Sequence, residues 1–264
     1  MRQSAIQWSE RVILLTGATG GIGRALVDAL LPLKAQLLVV GRNGEQLQRL
    51  SQLCPKYIMP VQLDLSDSDS YTTLAEIAEH HQVDMLINAA GLNSLVDFEQ
   101  QSADDIQQML QTNVLAPMLL TQQLLPTLKR QSRAWVINLG STLGAIGHPG
   151  YVSYCSTKFA LRGFSQSLRR ELADTSVRVL YIAPRAVQTR MNSGAAKDMN
   201  QRLGNTMDTP EQVAQHIIKA IASEQDDTVI GWPERLFVRL NGLFPALVDK
   251  ALRRQLPVIR QFVR

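Results

Sequence analysis

Seven short runs built almost wholly from Val, Leu, Ile, Ala and Met recur along the chain, separated by longer amphipathic stretches. They are "RVILLTG", "AQLLVVGRN", "IMPVQLDLSD", "VDMLINAAG", "AWVINLGS", "VRVLYIAP" and "DDTVIG". A strand with no polar alternation must be covered on both faces, and parallel strands joined by helical crossovers provide that cover. The expected architecture is α/β: a doubly wound parallel sheet of about seven strands with helices on both faces. The intervening stretches carry helix signals. "SDSYTTLAEIAEHH" opens with Ser and Asp caps, "TPEQVAQHIIKAI" with a Thr cap and an early Pro, and a long helix from Ser102 has acids in its first turn. No internal repeat, low-complexity tract or linker divides the chain. Residues 1–264 are expected to be one domain, with 232–264 as a basic amphipathic C-terminal extension.

Charge narrows the partners. Between Trp232 and Arg264 there are seven basic residues against two acids, a net +5, which leaves the other 231 residues at −1 of the chain's +4. A near-neutral body argues against a nucleic-acid binder. No apolar run reaches the roughly 18 residues of a membrane span. The polar start "MRQSAIQWSE" gives no sign of a signal peptide. Cys54 and Cys155 are far apart and lack metal-ligand spacing, as do His80, His81 and His216, so no metal is expected and a reduced cytoplasmic setting is.

The first strand runs into Thr16-Gly17-Ala18-Thr19-Gly20-Gly21-Ile22-Gly23. Glycines there let the backbone turn sharply and approach a pyrophosphate, while the following helix presents free N–H groups to it. Such a turn is a weak signal alone and a stronger one after the first buried strand of a βαβ unit. An acid at the end of the second strand would bind ribose hydroxyls and repel a 2′-phosphate. The sequence instead has Val40-Gly41-Arg42-Asn43. Arg42 offers a planar fork suited to phosphate, which favours NADP(H) over NAD(H).

"GYVSYCSTK" places Tyr154 and Lys158 one helical turn apart, whereas Tyr151 has no lysine four residues on. Ser141 ends the fifth strand, thirteen residues before Tyr154, at the edge of the crevice formed by the carboxyl ends of the strands.

These residues together resemble the short-chain dehydrogenase/reductase family, over nearly the whole chain from Thr16 to about Gly231. The matching elements are Thr16-Gly17-x-x-x-Gly21-Ile22-Gly23, Asp64-Leu65, Asn88-Ala89-Ala90-Gly91, Asn113, Ser141, Tyr154-x-x-x-Lys158, and Pro184 to Thr189. The resemblance implies a Rossmann-like fold and an oxidoreductase that interconverts a carbonyl and a secondary alcohol. It implies that Tyr154 is the acid–base residue, that Lys158 holds the nicotinamide ribose and together with the oxidised nicotinamide lowers the tyrosine pKa, and that Ser141 polarises the substrate oxygen. Asn113 matches the asparagine that interrupts helix hydrogen bonding and keeps a water for proton relay. Gly17, Thr19, Gly21, Ile22 and Gly23 match the phosphate turn, and Asp64 and Leu65 the adenine contacts. Asn88 and Gly91 match the residues that support the crevice and approach the cofactor. Pro184, Val187 and Thr189 match the segment at the nicotinamide carboxamide and phosphate.

Two positions depart from the family pattern. Arg185 stands where Pro-Gly is usual, facing an anionic group or solvent. Ala89 stands where a second Asn is common, which weakens the expected support of the sheet. The loop "RMNSGAAKDMNQRLGNTMD" suits an adaptable apolar pocket. In the tail, Leu236, Leu240, Phe244 and Leu247 form a helical stripe among arginines, and Pro245 and Pro257 are expected to break the run. Three roles fit it: a lid or subunit contact in a homo-oligomer, a helix lying on a membrane surface through residues 233–264, or a partner site. The function expected is an oxidoreductase acting on an apolar or lipidic carbonyl or alcohol. The alternative is a catalytically silent nucleotide sensor on the same fold, which would have no use for a complete Ser–Tyr–Lys set.

Overall fold

The structure is a computed structural model that describes residues 6–192 and 194–263. The apolar runs become strands β1 (Val12–Thr16), β2 (Gln36–Gly41), β3 (Ile58–Gln62), β4 (Met85–Asn88), β5 (Ala134–Leu139), β6 (Val177–Ala183) and β7 (Asp227–Val229). All pair in parallel in the order β3-β2-β1-β4-β5-β6-β7. The order reverses between β1 and β4, and the carboxyl ends of these two strands open the crevice that such a switch point creates.

Successive strand residues supply opposite faces, and both faces are apolar. Ile13 and Leu15 pack with α1 (Gly21–Leu30), α2 (Gly44–Leu53) and α8 (Pro210–Ala222). Leu14 packs with α3 (Asp69–His80), α5 (Ala116–Arg130) and α6 (Val152–Glu171) on the other side. The remaining helices are α4 (Ala103–Leu110), α7 (Ala195–Arg202), α9 (Glu234–Leu243) and α10 (Pro245–Ile259).

Several local expectations are realised by hydrogen bonds. Ser102 accepts from Asp105 N at 3.1 Å, and Thr209 and Gln212 form a reciprocal capping box. Others are corrected. Ser68 makes no cap bond at the start of α3; Asp67 accepts from Asp69 N instead. The long helix expected from Ser102 is split by a π-helical turn over Gln111–Leu115, at the Asn113 expected to interrupt its hydrogen bonding. Pro257 does not end α10, because its missing N–H falls in the last turn, where only one helix bond is lost. Pro245 does mark a break, sitting at the first turn of α10 just after α9 ends.

Candidate active site

A crevice of about 1090 Å³ lies at the carboxyl edge of the sheet. Its floor begins at the Gly-rich turn. Gly17 has φ +67°, and a Cβ there would lie 2.7 Å from the backbone of Ala90. A side chain would therefore drive the β1 and β4 loops apart. No side chain caps the start of α1, so the helix N-terminus is left for an anion. Thr19, Gly21, Ile22 and Gly23 line the crevice, and the Thr189 side chain lies directly over Gly21.

At the β2 end, Arg42 is exposed and lines the crevice, and its guanidinium has no carboxylate partner among the described residues. The neighbouring Asn43 is occupied in capping α2, accepting from Gln46 N at 2.9 Å. Asp64 and Leu65 lie on the adjacent wall. With an uncapped helix start, a backbone cradle that tolerates no Cβ, and a free guanidinium beside it, these residues fit the diphosphate and ribose of a nicotinamide dinucleotide.

Ser141, Tyr154 and Lys158 line the same crevice, together with Pro184 and Val187. Ser141 ends the loop from β5, and its side chain accepts from Leu143 N at 3.1 Å. Tyr181 of β6 supports it from behind, bridging the main-chain N and O of Ser141 at 3.4 and 3.3 Å. Lys158 is 5% exposed and its ammonium lies 5.7 Å from the centre of the Tyr154 ring. Burial pulls the Lys158 pKa down to about 8. Burial also pushes the Tyr154 phenol well above its ordinary value, while the nearby Ser141 hydroxyl acts in the opposite direction. In the protein alone burial sets both shifts, raising the Tyr154 phenol and lowering the Lys158 ammonium; the expected lowering of the tyrosine pKa belongs to the site with oxidised nicotinamide bound. Tyr151, the residue before α6, is pushed up to about 12 and points its ring toward His148 rather than toward the lysine.

Two expected site residues stand behind the wall. Asn113 lies in the π-helical turn, 1% exposed. Its Oδ1 accepts from Leu92 N at 2.7 Å, and its Nδ2 donates to Leu92 O at 2.9 Å and to Thr157 Oγ1 at 3.0 Å. It thereby fixes the loop after Gly91 against α6. Gly91 itself lines the crevice, lying between Asn113 and Lys158, close to both side chains. Asn88 does not reach the crevice; it donates to Asn138 Oδ1 at 2.8 Å and so ties β4 to β5.

At Ala89 the main chain is held by Thr16, whose Oγ1 accepts from Ala89 N and Ala90 N at 3.1 and 3.2 Å and fixes the β4 loop to the end of β1. Arg185 faces neither solvent nor a free anion. Its guanidinium makes a bidentate pair with Asp208 at 2.9 and 2.6 Å and a 3.2 Å bond to Glu234. Its backbone needs no positive φ, so the missing glycine causes no strain. Asn138, Tyr181 and Thr157 fall outside the motifs, whereas Thr16 heads the first of them. A polar residue inside an otherwise apolar strand is the signal that marks Asn138 and Tyr181.

The tail closes the crevice on its outer side. Phe237 and Leu240 of α9 and Leu247, Val248 and Leu252 of α10 line it. Ile259 and Val263 anchor the end of the chain against Tyr151, Cys155 and Met199. Arg264, the last tail residue, lies outside the described residues, as do residues 1–5 of the polar N-terminus and Ser193 of the methionine-rich loop.

Comparison with known proteins agrees with this geometry. The short chain dehydrogenase family model matches residues 11–200. The chain is 31% identical over 232 residues to an NADP-dependent 3-hydroxy acid dehydrogenase of Schizosaccharomyces pombe, covering 82% of this chain and 88% of the relative. It is 31% identical over 254 residues to dehydrogenase/reductase SDR family member 7B of Bos taurus, covering 89% and 78%. A short chain dehydrogenase from Burkholderia cenocepacia, solved in complex with NADP, shares the fold at TM-score 0.82 and 22% identity, covering 94% of this chain and 99% of that one. The matched family model, the two relatives and the shared sheet topology lead to one conclusion: the chain belongs to the short-chain dehydrogenase/reductase family of oxidoreductases.

Proposed function

We propose that the protein is an NADP(H)-dependent oxidoreductase that interconverts a carbonyl and a secondary alcohol on an apolar substrate, with Tyr154 as the acid–base residue. The observation that carries the reading is that Ser141, Tyr154 and Lys158 line the same crevice as the Gly-rich turn, with the Lys158 ammonium 5.7 Å from the Tyr154 ring. A nicotinamide dinucleotide bound there supplies or takes up the hydride. In reduction, Tyr154 gives its phenolic proton to the substrate oxygen, and in oxidation it takes one from the alcohol. Ser141 donates a hydrogen bond to the same oxygen, aided by the rigid support of Tyr181. Lys158, buried and held against the end of β5, favours the tyrosinate when its ammonium is charged.

Arg42 supports the choice of NADP(H), since a fork donor with no carboxylate partner among the described residues stands where NAD-preferring sites place a carboxylate. The Schizosaccharomyces pombe relative is an NADP-dependent enzyme, which agrees. Leu143, Ile146, Met199, Phe237 and Leu240 along the crevice support an apolar substrate. The test is a panel of ketones, from short soluble ones to long-chain ones, incubated with NADPH or NADH. Faster NADPH consumption on the longer ketones is the expected result. No consumption with any of them and either cofactor would overturn the proposal.

A further inference from the structure

Helices α9 and α10 carry apolar side chains on two sides. The inner side faces the crevice. On the outer side, every residue of the corner 243–247 (Leu, Phe, Pro, Ala, Leu) is exposed, Leu243 to 73% and Leu247 to 62%. Trp232, 71% exposed, and Leu236 add apolar surface at the approach to α9. A contiguous apolar corner of this kind is costly to leave in water and marks a contact site.

The charges around the corner identify the contact. Arg235, Arg239, Lys250, Arg253 and Arg254 are all exposed, and none pairs with a carboxylate among the described residues. Of the two acids in these helices, Glu234 is held by Arg185, which leaves Asp249 alone to oppose five cations. A second copy of the chain, meeting this face about a two-fold axis, would set one basic rim against another. A bilayer of anionic lipid would instead neutralise the rim and take up the apolar corner, with the long basic side chains reaching back to the headgroups. No helix among the described residues is long and apolar enough to cross a membrane, so the helices would lie in the plane of the surface.

We propose that the α9–α10 corner docks on an anionic bilayer, and that the crevice mouth, walled by the same two helices, takes its apolar substrate from that bilayer. The second half of this proposal rests on the carbonyl chemistry proposed above, while the docking stands on the corner alone. The same helices join the two roles: Phe237 and Leu247 are exposed at the lip and also line the crevice.

The test is cosedimentation of the full chain with phosphatidylcholine vesicles, with and without phosphatidylserine. Binding to the anionic vesicles should be at least about tenfold tighter and should weaken as salt is raised. The variant Leu243→Asp/Phe244→Asp alters two exposed side chains that do not line the crevice. It should lose vesicle binding by about tenfold or more, keep its circular dichroism, and turn over a soluble ketone like the parent while losing rate on a long-chain ketone presented in vesicles. Equal binding to neutral and anionic vesicles, no binding, or unchanged binding of the double variant would overturn the proposal. So would a parent dimer that fails to bind vesicles and becomes monomeric in the variant, which would give the corner to a second copy. Vesicle binding by a protein that reduces no ketone would support the docking while overturning the carbonyl chemistry.

Discussion

Lys158 donates a 3.0 Å hydrogen bond from its ammonium to the main-chain oxygen of Leu139, the last residue of β5. The bond fixes the charge beside Ser141 at the price of burying it, and burial lowers the lysine pKa to about 8. The unfolded value is roughly 10.4, so between these two values the folded chain binds fewer protons than the unfolded chain at this site. The Lys158 contribution to stability therefore rises with pH across that window, by an amount on the order of 2–3 kcal/mol. Urea unfolding of the parent and of Lys158→Met at pH about 7 and about 9.5 should show the parent gaining relative to the variant. Parallel pH dependences would contradict the assignment of that shift to Lys158.

Arg42 is the predicted discriminator between cofactors. Loss of a charge-assisted phosphate contact costs about 1.5–3 kcal/mol, so Arg42→Ala should weaken NADPH binding roughly tenfold or more and leave NADH nearly unchanged. Calorimetric titration with both nucleotides measures this. An equal loss for both, or tighter NADH binding in the parent, would refute it.

Arg185 joins the end of β6 to Asp208 and to the first residue of α9. Its side chain is only 13% exposed, so Arg185→Gly leaves two partly buried carboxylates without their cation. The expected cost is about 2 kcal/mol, or a fall in Tm of roughly 4–8 °C. With α9 released, KM for an apolar ketone should rise several-fold while kcat holds, because the catalytic groups are untouched. A loss confined to kcat would show that Arg185 acts on the chemistry instead.

These pairs also show where the sequence is readable. The seven strands are legible because Val, Leu and Ile dominate each run, and the crevice follows from their parallel order. Tyr154, Lys158 and Ser141 are legible because one helical turn and one strand end place them together. Arg185, Asp208 and Glu234 are 23 and 49 residues apart along the chain, and no local spacing announces their meeting. Thr16 is legible as the head of the Gly-rich motif, but the hold of its hydroxyl on a loop 73 residues away is not. The π-helical turn at Asn113 lies inside an unbroken helical pattern, where only the resemblance marks an interruption, and the three bonds its side chain makes to Leu92 and Thr157 have no local signal. The shift of the Tyr154 pKa depends on burial, which the spacing to Lys158 does not show.

Two neighbouring tyrosines stand close enough to the site to move the proton. The rings of Tyr151 and Tyr154 are 6.2 Å apart, both are pushed upward by burial, and only Tyr154 has Lys158 at its ring. A positioned acid–base group contributes roughly 10²–10⁴-fold to rate. Steady-state kinetics of Tyr154→Phe and Tyr151→Phe on one active ketone, with NADPH affinity measured alongside, separates the two. The prediction is that Tyr154→Phe lowers kcat by about 10³-fold or more with NADPH binding held within a few-fold, and that Tyr151→Phe retains most of its turnover. Full activity in Tyr154→Phe together with loss in Tyr151→Phe would contradict it.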